Sequence, residues 1–262
     1  AAAGPLNDGL GEAAQNPAYG HVRVYSFSNS SWSQLGQEID GELAGDNLGR
    51  DVAINSTGNI VAISCGAAER PVRVYQLTES VWGQLGNDIT GDNTVGDQYW
   101  GYSLDLNSDG HRVALGHLQS EHVRVYDLVG STWTQVGGDI DGESSGDYFG
   151  YSVAINSSGN RVVVGAKLND GNGLNSGHVR AYELVGSTWT QLGSDIEGGV
   201  PGDNLGWDVD IDSDGDRIVI GAPTNGAGYA RVYEYSGSSW VQLGNNIDGE
   251  AANDQSGYSV AM

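Results

Sequence analysis

Residues 149–191 read FGYSVAINSSGNRVVVGAKLNDGNGLNSGHVRAYELVGSTWTQ, and the punctuation of this stretch decides the fold. Tyr151, Val153 and Ile155 alternate with Ser152, Ala154 and Asn156 at period two, the mark of a strand with two unlike faces. Ser157-Ser158-Gly159 then supplies a tight turn, with glycine where a positive φ is wanted. RVVVGA, Arg161 to Ala166, is a short apolar run of the kind buried on both faces. After a loop, HVRAYEL alternates again before Gly186-Ser187 turns the chain into TWTQLGSDI. Four short strands fill the segment. No longer stretch carries a 3.6-residue apolar period, so helices are expected to be nearly absent.

The same punctuation recurs along the chain. GHVRVY ends at Tyr25, PVRVY at Tyr75, EHVRVY at Tyr126, GHVRAY at Tyr182 and GYARVY at Tyr233, spaced by 50, 51, 56 and 51 residues. A W-x-Q-[LV]-G motif follows each copy at constant distance, from Trp32, Trp82, Trp133, Trp189 and Trp240. A G-D-x-x-G variant begins at Gly45, Gly96, Gly146 and Gly202, with Ala252-Asn253-Asp254 as a looser fifth. Four short strands in roughly 50 residues are the arithmetic of a propeller blade. The expected fold is an all-β propeller of five four-stranded antiparallel blades in one domain, residues 1–262, with repeats near 1–44, 45–95, 96–145, 146–201 and 202–251. The first repeat lacks its own first strand, and GYSVAM, Gly257 to Met262, is one strand in surplus. Pairing of the N- and C-terminal strands would close the ring and abolish its sheet edges. The alternatives are a piece of a longer array, or donation of 257–262 to a neighbouring molecule.

The chain carries 34 Asp plus Glu against 11 Lys plus Arg, a formal net charge of -23. Such a surface repels phosphates and anionic headgroups, which sets nucleic acid aside as a partner. No run of 18 apolar residues exists, so no helix is expected to span a bilayer and membrane insertion is not expected. Cys65 stands alone, which excludes an internal disulfide framework and a cysteine-based zinc cage. The opening AAAG lacks an initiator Met and a basic or apolar leader, as a processed or fragmentary start would. Lys167 is the only lysine, and with abundant Asp that composition resembles extracellular or salt-exposed proteins; the expected location is extracellular, secreted or at the cell surface.

At GDYFGYSVAINSSGNRVVVGAKLNDG, residues 146–171, and GDNLGWDVDIDSDGDRIVIGAP, residues 202–223, the chain resembles FG-GAP repeats, the blades of integrin α-subunit heads and of many secreted surface proteins. Phe149-Gly150 supplies the FG and Gly221-Ala222-Pro223 the GAP, while Leu48-Gly49, Trp100-Gly101, Leu205-Gly206 and Ser256-Gly257 are drifted copies of the first motif. The likeness extends over essentially the whole chain. It implies an extracellular adhesion or ligand-binding propeller, often stabilised by calcium in the loop between the two motifs. Such loops alternate oxygen ligands around a sharp Gly and close with an acid. The best copy here is Asp210, Asp212, Asp214 and Gly215, with Ile218 at the closing position. An ordinary hairpin turn, in which Asx side chains bond their own backbone, accounts for the same residues.

Other candidates are weighed by whether they break the repeat. The longest period contains Lys167 to Gly177, KLNDGNGLNSG, where Asp170 and Asn172 offer oxygens to calcium or a sugar hydroxyl; PLNDGLGEAAQNPAYG, Pro5 to Gly20, is related. Trp100 and Trp207 lie outside the Trp series and would stack on sugar rings if exposed, or pack between blades if not. Acids recur in every interblade connection, among them Glu38, Glu42, Asp88, Asp92, Asp97, Asp139, Glu143 and Asp195, and that regularity reads as scaffold rather than a catalytic pair. Arg23, Arg73, Arg124, Arg180 and Arg231 recur beside a Tyr and predict a structural ladder with carboxylates. Asn29, Asn55 and Asn156 head N-x-[ST] sequons in expected turns, where a glycan could project. No G-x-S-x-G elbow, phosphate loop or dinucleotide fingerprint occurs.

The resulting expectation is a non-catalytic extracellular structural or adhesion propeller that binds proteins or glycans, or self-associates into a filament or array. No enzyme activity and no required cofactor are expected, with calcium as the candidate ion. The alternatives are a calcium-dependent, integrin-like ligand-binding module and a propeller enzyme acting on polysaccharide.

Overall fold

A computed structural model describes residues 2–3, 19–66, 71–91 and 99–262. Among these there is no helix, and so none long and apolar enough to cross a membrane. The strands form five antiparallel sheets in chain order. Sheet 1 holds β1 (Ala2–Ala3), β2 (His21–Ser28), β3 (Ser31–Gln34) and β4 (Ile39–Asp40), and sheet 2 holds β5 (Leu48–Ile54), β6 (Ile60–Cys65), β7 (Arg73–Thr78) and β8 (Val81–Gln84). Sheet 3 runs through β9 (Trp100–Leu106), β10 (Arg112–His117), β11 (His122–Val129), β12 (Thr132–Gln135) and β13 (Ile140–Asp141). Sheet 4 runs through β14 (Phe149–Ile155), β15 (Arg161–Ala166), β16 (His178–Val185), β17 (Thr188–Gln191) and β18 (Ile196–Glu197). Sheet 5 runs through β19 (Asp208–Ile211), β20 (Arg217–Ala222), β21 (Tyr229–Tyr235), β22 (Trp240–Gln242) and β23 (Ile247–Asp248). The first strands β5, β9, β14 and β19 pack side by side, which gives the propeller-like arrangement an inner wall.

Local sequence explains each hairpin. In sheet 4 the Asn156 carbonyl accepts from Gly159 N–H at 2.8 Å and its side-chain Oδ1 accepts from Arg161 N–H at 2.9 Å, so the turn is closed by Asn and made possible by Gly159 at φ 73°. The apolar second strands are buried on both faces: β6 throughout, and Val162 to Ala166 of β15.

Every Trp of the W-x-Q-[LV]-G series after Trp32 reaches back to the preceding sheet. The indole N–H of Trp82 donates to the Leu35 carbonyl at 2.7 Å, Trp133 to Leu85 at 2.8 Å, Trp189 to Val136 at 2.9 Å and Trp240 to Leu192 at 2.8 Å. The following glycine makes the seat. A Cβ on Gly86, which sits at φ 80°, would lie 2.8 Å from Cδ1 of Trp133. The expected arginine ladder is also present: Arg23 binds Glu38, Arg73 Asp88, Arg124 Asp139 and Arg180 Asp195, each between 2.7 and 3.0 Å, with the amide of Asn246 as the partner of Arg231. Glu42 and Glu143 reach from one connection to Arg73 and Arg180 of the next sheet.

Two expectations need correction. The repeats carry an additional two-residue strand, β4, β13, β18 or β23, paired to the third strand, so sheets 3, 4 and 5 have five strands rather than four. The termini do not pair: β1 joins β2, and 257–262 carries no strand pairing. Residues 257–262 instead lie against the inner strand of sheet 5, with Val260 N–H donating to Asp208 at 2.8 Å and Met262 N–H to Asp210 at 2.6 Å. The outer faces of the first and last sheets are accordingly open. Trp32 is 61% exposed against 4% for Trp82, and Ile247 is 59% exposed against 3% for Ile140.

Candidate functional site

The inner strands line an open cavity of 690 Å³. The residue that follows the glycine of each FG-type motif, Arg50 after Gly49, Tyr102 after Gly101, Tyr151 after Gly150, Trp207 after Gly206 and Tyr258 after Gly257, lines it, one per repeat. These five side chains form a continuous rim. The Arg50 guanidinium lies 3.9 Å from the Tyr102 ring centre, and the next ring centres follow at 5.1 Å (Tyr102 to Tyr151), 5.5 Å (Tyr151 to Trp207) and 5.3 Å (Trp207 to Tyr258). A register shift between Leu48 and Val52, and another between Phe149 and Ser152, accompanies the motif glycines; such bulges re-aim the residue that follows. The amine of Lys167 sits 3.5 Å from the Tyr151 ring centre and 3.7 Å from that of Trp207. Burial lowers its pKa to about 8.

Four carboxyl groups, Asp51, Asp105, Asp208 and Asp210, also line the cavity. Each accepts the N–H of the following residue on its own strand and a second N–H from the neighbouring inner segment. Asp51 receives Leu104 N–H at 2.7 Å, and Asp105 receives Ile155 N–H at 2.8 Å. They lace the inner strands together. Burial outweighs these bonds and raises all four pKa values, Asp51 to about 6 and Asp105 to about 7. Repulsion from Asp208 adds to the shift at Asp51, and repulsion from Asp210 and Asp51 to that at Asp105.

The residues singled out from sequence are dispersed. Asp210 lines the cavity, Asp212 spends Oδ1 on the N–H groups of Gly215, Asp216 and Arg217, and Asp214 is exposed, so the three do not converge as a calcium loop would. Asp170 accepts Asn175 N–H at 2.7 Å, closing the loop on itself, and Asn172 donates to the Gly198 carbonyl at 2.7 Å, tying the loop to the segment after β18. Pro5 to Ala18, Asp92 and Asp97 lie outside the described residues. Trp100 is 2% exposed and donates to the Ile89 carbonyl at 3.0 Å, which makes it interblade packing; Trp207 belongs to the rim. Asn55 and Asn156 are buried with their amide nitrogens bonded within their turns, whereas Asn29 is exposed.

Side chains able to ligate a metal gather in two other places among the described residues. His122, Asp139 and Asp141 form one group and Glu143, His178 and Asp195 the other, with ligand atoms within 4.8 Å. Both are rungs of the arginine ladder: Arg124 already holds Asp139, and Arg180 holds Asp195 and Glu143. Burial first, and Arg180 second, lower the pKa of His178. The cavity acids belong to neither group.

A family model described as the FG-GAP repeat matches residues 140–182, under half of the chain. No curated protein matches the sequence. Among solved structures, a candidate 6-phosphogluconolactonase from Bacteroides fragilis shares 11% identity and a TM-score of 0.60 over 90% of this chain and 68% of its own. A second candidate 6-phosphogluconolactonase, from Bacteroides uniformis, shares 10% identity and a TM-score of 0.58 over 92% of this chain and 71% of its own. At that identity the likeness is one of fold. It nevertheless corrects the sequence-based expectation. The family match does not extend over the whole chain, and these two structures, which share the array of sheets, are described as candidate enzymes rather than integrin-type adhesion heads. The non-catalytic structural or adhesion role and the expected absence of enzyme activity, both resting on the repeat resemblance, are thereby overturned.

Proposed function

We propose that the central cavity is a hydrolytic active site acting on a C–O bond of a sugar-ring substrate, with a sugar lactone as the favoured class. One observation carries this reading: Asp51 and Asp105, with pKa values near 6 and 7, line the same cavity as a wall of aromatic rings. Trp207, Tyr151 and Tyr258 offer flat apolar faces to a sugar ring. A carboxyl group poised near neutral pH is suited to general acid and base work. In its ionised form Asp51, the more acidic of the two, takes a proton from water as the oxygen attacks the lactone carbonyl. Protonated Asp105 then delivers a proton to the ring oxygen as the C–O bond breaks, leaving the open hydroxy acid. Both relatives of similar fold are described as lactonases, which supports this class. The acidic, lysine-poor composition supports an extracellular setting.

The test is hydrolysis of a panel of sugar lactones by the purified protein, followed by pH-stat. Turnover should rise with pH through about 6, as Asp51 ionises, fall above about 7, as Asp105 loses its proton, and be lost in Asp105→Asn while the circular dichroism spectrum is retained. No turnover of any lactone by the wild type would remove the reading. A polysaccharide glycosidase is the second reading, and aryl glycosides in the same panel separate the two.

A further inference from the structure

The protein has three times as many acidic as basic side chains, 34 against 11, so a cation without a carboxylate partner is unusual. Among the described residues every arginine but Arg50 is held by an acid or, for Arg231, by the Asn246 amide: ladder positions as above, Arg112 by Asp127, Arg161 by Glu183 and Arg217 by Glu234. Arg50 has no such partner, nor has Lys167, and both rest on the rings of one cavity rim. Arg50 also breaks the repeat. Its position is Tyr102, Tyr151, Trp207 and Tyr258 in the other copies, so nothing in the blade architecture requires a guanidinium there.

We infer that Arg50 is a substrate-binding residue that reads a carboxylate on the sugar, with Lys167 behind Tyr151 and Trp207 adding positive potential to the same side of the rim. This rests on the sugar-site reading above and names its substrate class: a sugar acid, such as an aldaric acid monolactone, rather than a neutral sugar. Arg50 is exposed, and its planar fork is free for bidentate contact with a carboxylate. Lys167 is only 8% exposed and takes no direct part in that contact. One accessible positive charge suits a monoanion. A phosphate dianion would bring a second negative charge above the four cavity carboxyls without a cation to meet it.

The experiment is a tryptophan-fluorescence titration at pH 7.5 with glucuronate, glucose and glucose 6-phosphate, on the wild type, Arg50→Met and Arg50→Lys. Glucuronate is expected to bind roughly tenfold or more tighter than glucose, with the preference abolished in Arg50→Met and partly kept in Arg50→Lys. Equal binding of glucuronate and glucose, tighter binding of glucose 6-phosphate, or an Arg50→Met protein that keeps the preference would each overturn the inference. Asp105→Asn separates the two claims. It should keep the glucuronate preference while losing hydrolysis, so a failed hydrolysis assay strikes the proposed reaction and a failed preference strikes the role of Arg50. If none of the sugars binds the wild type, both fall.

Discussion

The indole N–H of Trp133 donates to the carbonyl of Leu85 at 2.8 Å, across the boundary between sheets 2 and 3. The bond is the unit from which the array is assembled, because the neighbouring pairs Trp82–Leu35 and Trp189–Val136 repeat it. Trp133 is 5% exposed and contributes both apolar area and a satisfied buried donor. Trp133→Ala should therefore cost about 3–5 kcal/mol, and Trp133→Phe about 1–3 kcal/mol by orphaning the carbonyl. Urea unfolding measures both; a cost under ~1 kcal/mol for the alanine variant would refute the interface role.

The glycine seat gives a sharper test. Gly86→Ala combines a positive φ with a Cβ driven into the Trp133 ring, whereas Gly244→Ala at φ 70° places its Cβ in open space. Backbone strain alone costs roughly 1–2 kcal/mol, so Gly86→Ala should exceed Gly244→Ala. Combining Gly86→Ala with Trp133→Ala should recover part of the difference. Strict additivity in that cycle would show that glycine and indole are independent.

Stability should depend on pH in a direction set by the cavity acids. Asp51 and Asp105 have folded pKa values of about 6 and 7, above the ordinary value of 3.8, so between those limits the folded state holds more protons than the unfolded chain. Stability from these two groups is greatest at the acid end of that window and is lost as pH rises through about 7. The ladder acid Asp139, lowered to about 2 by Arg124, contributes in the opposite sense and only below the window. Thermal unfolding should give a higher Tm at pH 5 than at pH 8, with a flatter profile in Asp105→Asn; an unchanged slope in that variant would assign the dependence elsewhere.

Glycan acceptance should separate the three sequons. Asn29 is exposed, while the amide nitrogens of Asn55 and Asn156 bond to Asn59 at 3.0 Å and Asn160 at 2.9 Å inside their turns. Expressed through a eukaryotic secretory pathway, the protein should carry glycan at Asn29 in excess over the other two, as read by peptide mass spectrometry. Full occupancy of Asn156 would mean that the turn opens or forms after modification.

Much of the architecture was legible because it is local. The period-two alternation in β14, the Asn-closed turn before Arg161 and the Arg180–Asp195 rung, fifteen residues apart, each leave a pattern within one repeat. The additional strands such as Ile140–Asp141 are two residues long and leave no periodicity to read. The rim was invisible for another reason: it takes one residue from each of five distant copies, and no window of sequence contains two of them. Trp100 and Trp207 show how fine the distinction is. One precedes its motif glycine and points into the core, the other follows it and faces the cavity. The acids Asp51, Asp105 and Asp208 likewise gained meaning only once the inner strands were set side by side.

The back-reaching Trp makes each sheet a neighbour to the next and to no other, which fixes how the array must lose its order. Such a chain behaves as a row of coupled units whose cohesion resides in the joints. Weakening the joint at Trp133 should therefore divide one cooperative melting transition into two, with sheets 1 and 2 yielding separately from sheets 3 to 5, and amide exchange in the unaltered protein should be slowest in β10 of sheet 3, farthest from either exposed end.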